Sequence, residues 1–412
     1  MRIRTRAAAA LFAAGVSVTG TAWAQALPAG PSVQQYAGFT RWPAVAYDSE
    51  HGVYLAVWGN GSIRGRFIND DGTAASAWFQ ISDAAPNAQT PRVAFSPDTG
   101  QFLVVWHSSD GVAGNPEGTR VRGRLVDFSS AGPVGPTQVY SNANYTTRWE
   151  VGPAVAYATG SQQFLVAYNI FAATGAEIGA RLIDTTGAPV GPEIAVTSSS
   201  GEYDREPAVG YFPSTNAFVV AWSGGSDSSP DFIRTRMFGA ADGAAIGPAV
   251  TVAQSTFTYV PEVAYNLATG QMLVTWIQSD PAGGGWRPFR NFLDDAGVVV
   301  GTNLRLSSTV GAYDANSVAY NAPAMTFFLV THGNTEQDVG FEITGDGMPV
   351  SPAMVVTSVT APDLNGSYNP RIAASAQTPS WLIGTAASFS SLWTQLITGV
   401  DLGGGGGTVV PK

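Results

Sequence analysis

The chain has 412 residues, of which 45% are hydrophobic and only 12% are charged, and it contains 48 glycines and 26 prolines. Few charges and abundant Gly and Pro favour many short strands joined by tight turns over helices. The net charge of −10 argues against nucleic acid and anionic lipid as partners, and the absence of cysteine excludes disulfides and thiolate metal sites.

Residues 1–24 have the features of a secretory signal peptide. Basic residues near the start precede an apolar run from Ala7 to Val18, and the segment ends in Ala22-Trp23-Ala24, which fits an A-x-A cleavage site. No other apolar run is long enough to span a bilayer. We therefore expect an exported protein, periplasmic or extracellular, with no membrane span.

From there on, one motif, P-x-V-A-Y, organises the chain. Its copies start at Pro43, Pro91, Pro153, Pro207, Pro261, Asn316 and Pro370, the last two in degenerate form. A second landmark follows at a constant distance in every copy, at Trp58, Trp106, Tyr168, Trp222, Trp276, Thr331 and Thr385. The constant distance predicts two strands joined by a hairpin of fixed length, with the Trp side chains in the core between repeats.

Two further strands complete each repeat. The third carries a polar landmark, such as Arg124 or Arg181, which we expect to pair with turn acids (Asp127, Asp184) or to cap carbonyl groups. A Gly-Pro-like pair, as in Gly191-Pro192, is predicted to open the fourth strand, because an outer edge tolerates the missing proline N–H.

The last copy lacks its fourth strand, and the N-terminal stretch Gly30 to Tyr36 reads as the missing piece. Such an exchange closes an array of repeats into a ring and removes its open edge. The sequence therefore predicts an all-β fold: a seven-bladed β-propeller of four-stranded antiparallel blades, closed by the N-terminal strand. Residues 29–402 form this single domain, and residues 403–412 form a Gly-rich flexible tail.

Binding residues are expected in the loops between blades and in the loops after the second strands, which are long and dissimilar. Aromatic rings there can stack on sugars, while Arg, Asp and Asn bind hydroxyl or acidic groups. The alternative is that the rings fill gaps between blades. The candidate residues are Arg41, Trp42, Tyr145, Arg148, Trp149, Tyr203, Asp204, Arg205, Tyr259, Trp286, Tyr313, Asp314 and Tyr368.

Metal and cofactor signals are weak. His107 and His332 occupy the same repeat position in copies two and six, nearly opposite across a ring of seven, so they do not share one metal ion. Asp227, Asp231 and Asp280 supply oxygen ligands of the kind that calcium takes, but no loop completes a calcium motif. We expect no cofactor.

The stretches Phe102–Trp106 (F-L-V-V-W), Ile178–Asp184 (I-x-A-R-L-I-D) and Gly187–Pro192 (G-x-x-V-G-P), with P-x-V-A-Y, resemble a repeat of exported bacterial proteins. The resemblance implies a propeller and covers nearly all of the mature chain. It implies no activity, since the function of those proteins is mostly unassigned.

Three classes of function follow from these observations. The first is a monomer that binds a polysaccharide, a surface glycan or a surface protein through the loops between blades. The second is a polysaccharide lyase or a paired-carboxylate glycosidase, since seven-bladed lyases look similar in architecture and use a His or Tyr base with an Arg; the candidates are His107, His332, Tyr145, Tyr203, Arg148 and Arg205. The third is a structural interaction scaffold.

Overall fold

The structure is a computed structural model that describes residues 25–59, 61–83, 87–109, 119–141, 152–172, 175–198, 201–226, 229–279, 285–307, 315–333, 337–350, 352–357, 368–387 and 391–399. The segments 1–24 and 403–412 lie outside these residues, so the signal peptide and the flexible tail stay predictions. The described residues form strands and turns, with no helix among them.

Seven antiparallel sheets follow one another along the chain, and each is one blade numbered from the N-terminus. Blade 1 contains β3 (Arg41–Asp48), β4 (Val53–Gly59), β5 (Ile63–Asn69) and β6 (Phe79–Gln80). Blade 2 contains β7 (Gln89–Ser96), β8 (Gln101–Ser109), β9 (Thr119–Asp127) and β10 (Gly132–Val139). Blade 3 contains β11 (Ala154–Ala158), β12 (Gln163–Ala172), β13 (Gly175–Asp184) and β14 (Pro189–Ala195).

The remaining blades repeat this order. Blade 4 contains β15 (Arg205–Phe212), β16 (Ala217–Gly225), β17 (Pro230–Gly239) and β18 (Ala245–Gln254). Blade 5 contains β19 (Thr258–Asn266), β20 (Gln271–Ser279), β21 (Trp286–Leu293) and β22 (Val299–Arg305). Blade 6 contains β23 (Asn316–Asn321), β24 (Thr326–His332), β25 (Asp338–Thr344) and β26 (Met354–Val355), and blade 7 contains β27 (Tyr368–Ala374), β28 (Ser380–Ala387) and β29 (Ser391–Thr398).

The N-terminus completes blade 7, as the sequence predicts. The outer edge of β29 pairs with two short strands, β1 (Leu27–Pro28) and β2 (Val33–Ala37), in place of one continuous strand. Leu27 lies opposite Thr398, and Val33 lies opposite Thr394. This exchange joins the two ends of the described chain in one sheet, and it closes the ring.

The hydrophobic core consists of seven clusters, and each lies between two neighbouring blades. The cluster that joins blade 7 to blade 1 contains Tyr54, Trp58, Leu382 and Leu392. The second strand of each blade is covered on both faces by its neighbours, so β4 is buried along its whole length and reads as a continuous apolar run. The landmark residues Trp58, Trp106, Trp222 and Trp276 are buried in these clusters, which confirms their predicted place.

The Gly-Pro pairs lie inside the outer strands, not at their beginnings, so the sequence prediction was wrong on this point. In blade 2 the register between β10 and β9 shifts between Val134 and Gln138, and Gly135 sits at the irregularity with a φ of 67°. Blade 3 repeats this arrangement at Gly191, with a φ of 63°. A bulge in an outer strand accommodates both a left-handed glycine and a proline without an N–H, which explains why the pair recurs there.

Candidate functional site

The first strand of each blade is the inner strand, next to the ring axis. All inner strands run in the same direction along this axis, so their first residues meet on one face of the ring, which we call the loop face. The loops between blades and the loops that follow the second strands open on this face. The tight hairpin turns between first and second strands, such as the one at His51, lie on the opposite face. The described candidate binding residues belong to segments at the loop face.

The inner strands enter the ring through a strained bulge in five blades. One extra residue is inserted opposite the second strand, and a non-glycine residue directly before the proline has a positive φ. These residues are Trp42, Thr90, Glu206, Val260 and Asn369, with φ values from 46° to 58°. Left-handed backbone is disfavoured for residues with a Cβ, above all for β-branched ones, so the surrounding contacts hold this geometry in place.

One group of aromatic and basic side chains lies where the outer edge of blade 7 leads into blade 1. The Arg41 guanidinium carbon lies 5.4 Å from the ring centroid of Phe39 and 5.4 Å from that of Trp42. Phe39 is 50% exposed, while Arg41 and Trp42 are half-buried. The structure therefore brings the predicted residues Arg41 and Trp42 together in one contact set.

A second arginine lies in the same part of the ring. The guanidinium carbon of Arg64 is 5.6 Å from the Tyr36 ring centroid and 5.7 Å from the Trp78 centroid. The Tyr36 and Trp78 rings meet edge to face at 5.6 Å, and Trp78 is 49% exposed. We call the residues Tyr36, Phe39, Arg41, Trp42, Arg64 and Trp78 the blade-1 patch.

Sequence reasoning missed Arg64 and Trp78, because both lie outside the loops between blades. Arg64 is the second residue of β5, and Trp78 directly precedes β6. The tryptophan in the polar stretch that precedes β6 was the available signal, since Trp is enriched among the residues that dominate binding surfaces.

A separate aromatic cluster lies at the loop face of blade 5. The Trp286 ring meets Tyr259 edge to face at 5.0 Å and Phe257 at 5.5 Å. Phe257 is 41% exposed, and the other two rings are half-buried. The predicted residues Tyr259 and Trp286 are thus neighbours, but in a blade remote from Arg41 and Trp42 along the ring.

The predicted residues of blade 4 divide between surface and core. Tyr203 is half-buried, and its backbone N–H donates to the Gly225 carbonyl at 2.9 Å. Asp204 is only 1% exposed, and its Oδ1 accepts a hydrogen bond of 3.0 Å from the Trp222 indole. Arg205 donates to the Ser226 carbonyl at 3.0 Å. The Asp204 carboxylate therefore points into the blade, away from the loop face.

Several predicted residues lie outside the described part of the chain. These are Tyr145, Arg148, Trp149, Tyr313 and Asp314. Tyr368 is the first residue of β27. The binding roles of these six residues stay predictions.

The two histidines are buried on second strands, in blades 2 and 6. His107 is 5% exposed, and its Nδ1 lies 2.7 Å from the Thr90 hydroxyl. Burial, and then the nearby charge of Arg92, lowers the pKa of His107 to about 4, so its imidazole is neutral at pH 7. His332 is 9% exposed, with its Nδ1 3.6 Å from an Asp338 oxygen. Tyr203 and Arg205 lie in blade 4, so the structure distributes these lyase candidates over three blades.

The axial channel carries charges that sequence reasoning also missed. The x residue of every P-x-V-A-Y copy lines this channel. Four copies have a small residue there, whereas the others have Arg92, Glu262 and Arg371. Arg371 forms a short ion pair with Glu262 and also donates to the Asn316 carbonyl at 3.2 Å. The variable residue within a constant motif was the signal that could have found this site.

The described residues offer neither a cluster of metal ligands nor a helical membrane segment. They contain no group of three or more His, Cys, Asp or Glu side chains that could hold a metal ion. They likewise contain no helix with the length and apolar character that crossing a bilayer requires.

Comparisons with known proteins identify the fold and nothing narrower. No protein-family model and no curated protein matches the chain. Among solved structures it is similar to the β-propeller domain of Myceliophteria thermophila Cps50 (Swd1), with 10% identity, a TM-score of 0.53, and 90% of this chain and 99% of that chain covered.

It is also similar to a chain of the Mitotic Checkpoint Complex, with 11% identity, a TM-score of 0.53, and 97% and 100% of the two chains covered. At such low identity the likeness shows the fold alone. The chain is a seven-bladed β-propeller, an architecture that suits a binding or scaffold role.

Proposed function

We propose that the chain is an exported binding module that holds an acidic polysaccharide on the blade-1 patch. The observation that carries this proposal is the contact of the Arg64 guanidinium with both the Tyr36 and the Trp78 ring, which also contact each other. The ring pair packs beside the guanidinium and limits its movement. An arginine fixed in this way binds a carboxylate or sulfate group through two parallel hydrogen bonds.

The charges around Arg64 support an acidic ligand. Arg64 has no carboxylate partner among the described residues, and its Nε is buried without a hydrogen bond there. Arg41 adds a second cation to the same patch. A neutral glycan would leave the Arg64 charge without a counter-charge, whereas a uronate or a sulfated sugar would neutralise it.

The exposed rings support a sugar over a small free anion. Trp78 and Phe39 each expose about half of their surface. Flat aromatic surfaces of this kind stack on the C–H face of a pyranose, and they bury apolar area without loss of hydroxyl hydration. A polymer presents sugar rings that stack on such surfaces, and a free phosphate does not.

Binding to three immobilised polymers, a polyuronate, a sulfated polysaccharide and a neutral glucan, tests this proposal. The full chain should be retained on an acidic polymer and released by salt, because arginine contacts of this type are screened. Arg64→Gln and Trp78→Ala should each weaken retention about tenfold or more, as expected for removal of one charged hydrogen-bonding group or one stacking ring. Arg305→Gln, an exposed arginine on the outer strand of blade 5, is the matched control for charge.

Two results would contradict the proposal. One is retention that Arg64→Gln and Trp78→Ala leave unchanged, and the other is no retention on either acidic polymer. Reducing ends and unsaturated ends should be followed in the same samples. New ends would assign the chain to the lyase or glycosidase class, and binding of a protein without binding of polymer would assign it to the scaffold class.

A further inference from the structure

The geometry points to a second binding site, in the axial channel: we propose that the Arg92 guanidinium binds one small oxyanion there, a carboxylate or a phosphate-type or sulfate-type group. This site is separate from the blade-1 patch and goes beyond the function proposed for that patch. It rests on the charges of the channel, on the hydrogen bonds of Arg92 and on the size of the cavity.

The channel charges do not balance. Of the described residues that line the cavity, Arg92 and Arg371 are cationic and Glu262 is the one carboxylate. The Glu262 carboxylate forms an ion pair with Arg371. The remaining lining side chains are apolar or, at Ser317, neutral. One positive charge, that of Arg92, is therefore left without a counter-charge among the described residues that line the cavity.

The Arg92 side chain also makes few hydrogen bonds to the described residues. Among the described residues its one acceptor is the Pro91 carbonyl, 3.0 Å from Nη1. A guanidinium has five N–H donors, so four of them have no acceptor among the described residues. Burial and the like charge of Arg371 lower the pKa of Arg92 to about 9, against the opposing effect of Glu262. An arginine at that pKa still carries its charge at pH 7, and an added anion would stabilise the charged form.

The cavity has the size for a small anion and is smaller than pockets for drug-sized ligands. Its volume is about 180 Å³, below the roughly 300 Å³ at which pockets for drug-sized ligands begin. Water reaches it, because 24% of the Glu262 side chain and 10% of the Arg371 side chain remain exposed. The strained residue Thr90 lies two positions before Arg92, so the bulge fixes the backbone from which the guanidinium projects.

Thermal unfolding of the full chain tests the site, in a buffer without oxyanions and at constant ionic strength. Sodium phosphate, sodium sulfate and sodium acetate are each compared with sodium chloride. We expect at least one oxyanion to raise Tm in a saturable way, since a ligand that binds only the folded state stabilises it. Comparing the Tm rise in phosphate and sulfate with the rise in acetate shows whether the site prefers a tetrahedral anion or a carboxylate.

Two channel variants should move the affinity in opposite directions. Arg92→Gln should raise the apparent Kd about tenfold or more, because it removes a charged hydrogen-bonding group. Glu262→Gln should lower the apparent Kd, because it removes the negative charge of the channel. Arg305→Gln should behave like the wild type and reports the general effect of each salt. Without an oxyanion, Arg92→Gln should have a Tm equal to or above that of the wild type, since it removes a half-buried charge that has no counter-charge among the described lining residues.

Titration calorimetry with the same three salts gives a second readout that does not depend on unfolding. A Tm rise of equal size in the wild type and in Arg92→Gln would overturn the proposal. So would the absence of any rise beyond that caused by chloride, together with no heat of binding.

Discussion

The indole Nε1 of Trp222 donates a hydrogen bond of 3.0 Å to the Asp204 carboxylate, and both side chains are at most 2% exposed. The same landmark in blades 1 and 2, Trp58 and Trp106, has no partner for its Nε1 among the described residues. Blade 4 thus adds a hydrogen bond at a packing position where blades 1 and 2 have none.

Asp204→Ala should lower the free energy of unfolding by about 1–3 kcal/mol, because it leaves the buried Trp222 N–H without an acceptor. Trp222→Phe should cost less in the Asp204→Ala background than in the wild type, since the hydrogen bond is then already lost. Chemical denaturation of the four proteins measures this coupling. Trp106→Phe controls for the loss of ring size alone, and strict additivity of the two changes would contradict the expected coupling.

Arginines of the third strands link blades 2 and 4 to the blade that precedes each of them. Arg124 donates to the Gly135 carbonyl at 2.8 Å within blade 2 and to the Ile81 carbonyl at 3.1 Å in blade 1. Arg236 bridges to Val196 of blade 3 in the same way, at 3.3 Å. Carbonyl capping was one of the two sequence interpretations and is confirmed for these residues. The other was wrong for Asp127, which instead accepts hydrogen bonds from its own turn at Ser129.

Arg124→Met should therefore destabilise the ring by about 2 kcal/mol, since charge-assisted bonds to two carbonyl groups are lost. Asp83→Asn should change stability by less than about 0.5 kcal/mol, although Asp83 lies 3.2 Å from Arg124. The reason is that the Asp83 side chain is 63% exposed, so water screens the ion pair. Denaturant midpoints of the two variants test this order. A larger loss of stability in Asp83→Asn than in Arg124→Met would show that the ion pair, and not the carbonyl capping, carries the stabilisation.

The ring was predictable from sequence because its determinants are local and repeated. A fixed distance between Pro43 and Trp58, and between their counterparts, specifies a hairpin before any tertiary contact is known. The strand that completes blade 7 could be predicted for the same reason, as a missing part of a known unit. These features recur along the chain, so a degenerate copy, such as the one at Asn316, does not change the predicted fold.

The candidate sites were only partly predictable, because they depend on how different copies converge. The contact of Arg371 with Glu262 joins blades 7 and 5 across the channel, and no local pattern encodes it. Asp204 illustrates the opposite difficulty. Beside Tyr203 and Arg205 it resembles a binding residue, yet the backbone directs it toward Trp222 inside the blade.

Acid should destabilise the protein partly through His107. Its pKa of about 4 in the folded state lies below the value of 6.5 expected in the unfolded chain. Between these values the unfolded chain binds more protons, so the unfolding free energy falls as pH drops from 6.5 toward 4, by at most about 3 kcal/mol. Urea unfolding across this range should show a shallower loss in His107→Gln than in the wild type.

His51 provides the control with the opposite sign. Its hydrogen bond to Asp48, at 2.7 Å, raises the pKa of the imidazole. A raised pKa contributes stability at low pH that is lost as pH rises through the folded value. His51→Gln should therefore leave the acid-side loss in place, and equal pH profiles for His107→Gln and the wild type would show that His107 is not its source.

The bulges at the channel entrance should tolerate glycine better than alanine. Val260 has a φ of 48°, and its backbone is held by the Glu206 carboxylate at its N–H (2.7 Å) and by the Asn316 side chain at its carbonyl (3.2 Å). Left-handed backbone costs a residue with a Cβ about 1–2 kcal/mol, and glycine avoids this at an entropic cost of about 0.5–1 kcal/mol. Val260→Gly should thus be more stable than Val260→Ala by about 0.5–1 kcal/mol in denaturant unfolding. At Val263, in the regular part of the same strand, the order should reverse, and the same order at both positions would show that the bulge carries no strain.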